Sequence, residues 1–126
     1  MKSWKAPLCV LLAVLALTLW NSRCLTRRCG VWIGLLGRME EAVQQEDWPA
    51  AADTMDALYA DWQARQTWLR TVIRHDEIDE TEALLQRCFA LCDARQGPEL
   101  LTELYDLRAQ FVLMDETERL SIQNIF

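Results

Sequence analysis

Residues 47–73 read DWPAAADTMDALYADWQARQTWLRTVI. Within this stretch Trp48, Ala51, Met55, Leu58, Trp62, Arg65, Leu69 and Val72 recur at alternating steps of three and four. That spacing lays one apolar stripe along a helix and predicts a coiled-coil-like seam, with a single charge in it at Arg65. Asp47 stands in front, where its carboxylate can cap a helix start, and Pro49 is tolerated only in a first turn. Tyr59 and Trp68 widen the apolar face, so this helix is expected to touch two neighbours.

Upstream, residues 29–46 read as a second helix. Trp32, Leu35, Leu36, Met39, Ala42 and Val43 form its stripe. Gly30, Gly34 and Gly37 share another stripe, and small residues so placed predict close approach of a neighbouring helix. Downstream, the 47–73 seam would continue through Asp76, Asp79 and Ala83, of which two are charged. The apolar phase restarts at Ile78 and runs through Thr81, Leu85, Cys88 and Cys92. A slip in phase without Gly or Pro predicts a tight turn near residues 74–77, with Asp76 as the new cap and Asp79 in the first turn. Gly97-Pro98 ends that helix, with Gly at a left-handed position and Pro opening the last helix. Leu100, Leu101, Leu104, Leu107, Phe111, Met114 and Leu120 carry the final stripe. No apolar/polar alternation bounded by turn residues is present, so the class is all-α. Short connections make consecutive helices antiparallel neighbours.

The N-terminus is a different material. Ala6 to Trp20 is a run of fifteen residues without a charge, preceded by Lys2 and Lys5 and followed by Arg23, Arg27 and Arg28. As a helix it covers only ~22 Å of a ~30 Å hydrocarbon core, which suits a signal-peptide core as well as a short span. Asn21-Ser22-Arg23-Cys24 gives no A-x-A cleavage site, and Ala16-Leu17-Thr18 is a poor substitute. An uncleaved signal anchor is the preferred reading and a cleaved signal its competitor. Trp4 and Trp20 would mark the two headgroup levels, and the basic flanks would snorkel. The expected architecture is therefore an N-terminal transmembrane signal-anchor helix over residues 1–28, followed by an antiparallel bundle of three to four helices over 29–126. The basic flanks are nearly balanced across the run. The usual outcome for an N-terminal anchor, amino terminus inside and body outside, is the expected topology: a single-pass membrane protein with an extracytoplasmic body.

Charge divides at the same place. Residues 1–37 hold five basic and no acidic residues; the remainder holds eight arginines and nineteen acids, for a net −6. An acidic body repels phosphate backbones, so nucleic-acid binding is not expected.

The stretch RHDEIDETE, residues 74–82, contains the only histidine, His75, and five carboxylates. His75, Asp79 and Glu82 fall on one helical face and form the candidate polar cluster for a divalent cation. The plainer reading is a helix start, where first-turn acids gain ~0.3–1 kcal/mol each from exposed backbone N–H groups and the helix dipole. One histidine with carboxylates is a pattern of low specificity, and the calcium-loop spacing is missing. Five cysteines occur, Cys9, Cys24, Cys29, Cys88 and Cys92. Cys88 and Cys92 lie on an apolar stripe as small hydrophobes, and zinc-ribbon spacing is absent. An odd thiol count sits awkwardly with an exported body. A thiol enzyme using Cys88 or Cys92 would need a reactive thiolate on a buried face. No Gly-rich phosphate loop or G-x-S-x-G is present, and one histidine leaves little for acid–base catalysis. No catalytic, cofactor or metal-binding residue is assigned, and no cofactor is expected.

Asp47-Trp48, Trp62, the run His75-Asp76-Glu77-Ile78-Asp79 and the ending Leu120-Ser121-Ile122-Gln123-Asn124-Ile125-Phe126 together resemble the domain of unknown function 4363 family. The resemblance covers nearly the whole chain. It implies a short protein with a hydrophobic anchor and a helical body, of a kind found chiefly in spore-forming Gram-positive bacteria. It also implies that His75 and Asp79 recur in this context. It carries no activity. The cysteines and the Arg-rich stretch after the anchor depart from the usual member. The expected function is a non-enzymatic protein–protein interaction module at the membrane surface, using exposed apolar positions of a long helix or the Ser121–Phe126 tail. The alternative is an extracytoplasmic ligand- or metal-ion-sensing bundle built on His75, Asp79 and Glu82.

Overall fold

A computed structural model describes residues 3–125; Met1, Lys2 and Phe126, part of the anticipated flank and tail, lie outside the described residues. Five helices are formed: α1 Lys5–Gln44, α2 Trp48–Ala64, α3 Gln66–Val72, α4 His75–Asp93 and α5 Gly97–Ile125. Among the described residues there is no strand. The all-α expectation holds, as does an antiparallel bundle led by a long apolar helix.

The bundle has four walls. α1 packs against α2 and α5, and α4 packs against α2 and α5, so the chain closes a ring. Each wall presents a stripe of alternating three- and four-residue steps. On α1 it is Leu25, Cys29, Trp32, Leu36, Met39 and Val43; on α2, Ala51, Met55, Leu58 and Trp62; on α4, Ile78, Thr81, Leu85, Cys88 and Cys92; on α5, Leu100, Leu104, Leu107, Phe111 and Met114. Matching stripes on antiparallel helices interdigitate around one core. At its centre Trp32 meets Trp62 edge-on at 5.4 Å, and Phe111 tilts against both at 5.1 and 6.2 Å. Three helices are thus joined by aromatic rings, each of which costs about 3–5 kcal/mol to truncate.

Helix boundaries follow from local chemistry, and several differ from the expectation. Asp47 caps α2 as anticipated, its Oδ1 accepting from Ala50 N at 3.3 Å with Pro49 in the first turn. The anticipated single helix over 48–72 is two helices. It breaks at Arg65, the one charge in the seam, where the backbone turns out to φ −107° and ψ 9°. Arg65 swings its Nε onto Asp61 Oδ1 at 3.2 Å instead of lying in the core. Asp76 does not cap α4. The N-cap is Arg74, without a side-chain cap bond, while Asp76 and Glu77 occupy the first turn. Arg74 instead pairs with Asp76 at 3.1 Å.

Gly97 is not the left-handed residue either; it already belongs to α5. Positive φ falls on Glu46 (57°) and Arg95 (55°). Glu46 N donates to Val43 O and Asp47 N to Ala42 O, and Arg95 N donates to Cys92 O and Gln96 N to Leu91 O. Both are Schellman closures, in which two orphan carbonyls at a helix end are satisfied by the turn that follows. The glycine stripe is also open. A Cβ built on Gly30 or Gly34 would meet nothing within 4 Å, and one on Gly37 would meet only Arg108 Nη2 at 3.9 Å. Among the described residues no helix uses that stripe for close approach.

α1 passes residues 28 and 29 without interruption. Its first buried residue is Ser22; before it, side chains are exposed or half-buried, including Leu11, Val14, Leu17 and Trp20. Residues 5–21 therefore run ~25 Å beyond the core; Lys5–Val14 is exposed throughout, while Leu15, Thr18 and Asn21 are half-buried. By length and composition α1 can cross a membrane.

Candidate functional site

Two carboxylates organise the polar side of the core. Asp61, on α2, accepts the Trp32 indole N–H at Oδ2, 2.7 Å away. Arg28 from α1 and Arg65 from the end of α2 reach the same carboxylate at 3.4 and 3.2 Å. Glu82, on α4, accepts Tyr59 Oη and Trp62 Nε1, both at 2.7 Å and both from α2. Gln63 and Gln86 complete the group, each donating to Tyr59 Oη (2.6 and 2.8 Å) and to Glu82 Oε1 (3.3 Å). The hydrogen bond to Glu82 is the chief reason the Tyr59 phenol lies above its ordinary range. A buried indole must donate its N–H to something. Here each indole leans on a ring inside and donates its N–H to a carboxylate outside, so α1–α2 and α2–α4 are each fastened by one carboxylate.

This arrangement divides the anticipated polar cluster. His75 and Asp79 are exposed. Glu82 is half-buried, with both oxygens turned to α2. A cation at Glu82 would have to displace hydrogen bonds from Tyr59 and Trp62. Among the described residues no group of three His, Cys, Asp or Glu side chains is arranged to hold a metal ion. Asp61 was not singled out by sequence reasoning. Its signal is the Asp61/Arg65 pair one helical turn apart beside the seam's only charge, which marks an acid held at a helix break.

The five thiols are all free. Cys88 and Cys92 are buried as anticipated. Burial foremost, then Glu103, pushes the Cys88 thiol up to about 12; burial and then Asp93 raise Cys92. A thiol so placed is a packing group, since the thiolate is the nucleophile.

Two of the concave regions on the surface differ in chemistry. One, of about 450 Å³, runs along the outer face of α5 between Tyr105, Arg108, Ala109, Val112, Leu113 and Glu116. Tyr105 is 71% and Leu113 50% exposed, so large apolar side chains stand in solvent there. The other, of about 250 Å³, lies low on the bundle, between Cys24, Arg27 and Arg28 of α1, Arg65, and Trp68 of α3.

Fold and surface define a class: a four-walled helical bundle carried on a helix that outruns it. The chain belongs to the family described as domain of unknown function DUF4363, whose model matches residues 19–125. The matched stretch opens near the end of the apolar run and takes in the whole bundle. No curated protein and no solved structure matches the chain.

Proposed function

We propose that the chain is a non-enzymatic interaction module, held at a membrane by the projecting part of α1, with its body on the extracytoplasmic side. The observation that carries this reading is the continuity of α1. One unbroken helix is apolar and mostly exposed over residues 6–20 and becomes a wall of the core from Ser22 onward. Bare apolar helix in water is unfavourable by roughly 25 cal/mol per Å² exposed, a cost a bilayer removes. With no hinge between span and body, the bundle stands on the membrane at a set height.

Partner contact is assigned to the outer face of α5. Tyr105, Val112 and Leu113 are exposed apolar groups beside a charged rim of Arg108 and Glu116, the composition of a protein-binding surface. Thr26 on α1 bonds Asp115 at 2.7 Å, and Gly97 faces Val43. That antiparallel register brings Leu120 level with Asn21 and sets the last turn of α5 beside the upper end of the apolar run, at residues 16–20.

The test uses the full chain in native membranes, with a photo-crosslinking residue at Val112 and, as control, at Gln86 on α4. A discrete adduct at Val112, lost on Leu113→Asp, is expected. Equal adducts at both positions, or none at either, contradict an α5 docking face. A chain extracted by alkaline carbonate contradicts the anchor.

A further inference from the structure

We propose that the low pocket between α1 and α3 binds the phosphate of an anionic phospholipid headgroup. The inference rests on the membrane reading above and adds a ligand to it. Three guanidinium groups, Arg27, Arg28 and Arg65, line the pocket, together with the Trp68 ring and Cys24. No carboxylate is among the lining residues. Asp61 lies behind, holding Arg28 at 3.4 Å and Arg65 at 3.2 Å. One acid against three bases leaves the pocket with an excess of two positive charges. It also fixes two of the forks before any ligand arrives, which lowers the ordering cost of binding. Arginine forks match phosphate oxygens in pairs, and a ring beside them suits the apolar part of a lipid.

Height is the second argument. Trp68 is tied to α1 through its indole N–H, which donates to Asn21 Oδ1 at 3.3 Å. Asn21 directly follows Trp20, the last residue of the apolar run. Cys24 is ~6 Å above Trp20 along the helix, and the headgroup layer extends ~5–7 Å beyond the hydrocarbon. The lower edge of the pocket, at Cys24, therefore meets the layer in which lipid phosphates reside, and Arg27 reaches down to it from ~10 Å above Trp20. A soluble anion could offer the same phosphate chemistry, so the test separates the two sources.

The full chain is reconstituted in phosphatidylcholine vesicles with and without phosphatidylglycerol, and thermal unfolding is followed by circular dichroism. Flotation of each sample reports on the anchor independently. Floating protein whose Tm rises by ~5 °C with phosphatidylglycerol is the expected result. Arg27→Gln, at the exposed rim and outside the Asp61 pairing, should abolish the rise while leaving Tm in phosphatidylcholine unchanged. Arg23→Gln, equally basic and nearer the membrane but outside the pocket, should retain it. If Arg23→Gln loses the rise as fully as Arg27→Gln, the attraction is diffuse charge and the site is refuted. If inorganic phosphate in phosphatidylcholine vesicles gives an Arg27-dependent rise and phosphatidylglycerol gives none, the ligand is a soluble anion and the lipid assignment fails. Floating protein with no rise in either medium refutes the pocket alone. Failure to float refutes the membrane reading on which it rests.

Discussion

Trp62 donates its indole N–H to Glu82 Oε2 at 2.7 Å while its ring lies fully buried against Trp32 and Phe111. The carboxylate that closes this contact comes from RHDEIDETE, where the sequence suggested a ligand. Its structural use predicts a stability defect. Glu82→Ala removes the acceptor for Trp62 and Tyr59 together and should cost about 2–4 kcal/mol in urea unfolding, since hydrogen bonds to charged groups contribute ~1.5–3 each and the indole is left unpaired. His75→Ala and Asp79→Ala, both on exposed groups, should lie within about 0.5 kcal/mol of the parent. Addition of Ca²⁺, Mg²⁺, Zn²⁺ or Mn²⁺ should leave Tm unchanged. A specific cation shift abolished by His75→Ala would overturn this assignment.

Two helix ends are closed by residues that carry a side chain at positive φ. Replacing Arg95 with Gly should raise stability by ~0.5–1 kcal/mol, because relief of the left-handed penalty outweighs the added freedom of the unfolded chain. Arg95→Ala keeps the Cβ and should not show the gain. Glu46→Gly should behave as Arg95→Gly does. Thermal unfolding of the three variants decides it.

Gly30 and Gly34 sit mid-helix with open space where a Cβ would be. Alanine at either position should therefore stabilise α1 by ~0.5–1 kcal/mol through helix propensity alone. A loss of stability in the full chain would mean that another molecule covers this stripe.

Near the foot of the bundle, Glu77 and Glu118 are both half-buried acids. Burial foremost holds each above the ordinary glutamate range; Asp76 adds to Glu77, and Glu77 adds to Glu118, while Arg74 partly relieves Glu77. A folded value above the unfolded one means that the folded state binds more protons in this range. Stability from these groups is present below the unfolded value and is lost as pH rises through the folded one. Glu118→Gln should match the parent in acid and exceed it at neutral pH. A pH-independent difference in chemical denaturation would contradict the pairing.

The stripes that build the core were legible because burial imposes a period on every helix of a bundle; Met55, Leu58, Ile78, Leu85, Leu104 and Phe111 all lie where the pattern put them. Helix ends were less legible. Glu46 and Arg95 take left-handed backbone because the following hydrogen bonds over-determine it, and nothing in their chemistry announces that. The break at Arg65 is hidden in the seam because spacing alone keeps the charge in register, while a guanidinium with Asp61 one turn away gains more by leaving the core than by staying in it. Glu82 stands out in the sequence as a candidate ligand, whereas in the structure it is a hydrogen-bond acceptor. Its partners, Tyr59 and Trp62, belong to a different helix, and sequence spacing on α4 cannot report them. Asp61 was missed on the same ground, since the Trp32 that it holds is on α1.

Buried Cys29, Cys88 and Cys92 allow the central claim to be tested with little disturbance. Exposed Gln96, in the connection before α5, would be changed to Cys, and Cys9 and Cys24 to Ser. Intact cells would be treated with a membrane-impermeant maleimide, and the intact mass of the labelled chain read from the same sample. An uncleaved α1 holding the bundle outside predicts labelling at Cys introduced at 96 on a chain of full mass. A shortened labelled chain, or labelling that begins only when the cells are lysed, would contradict it.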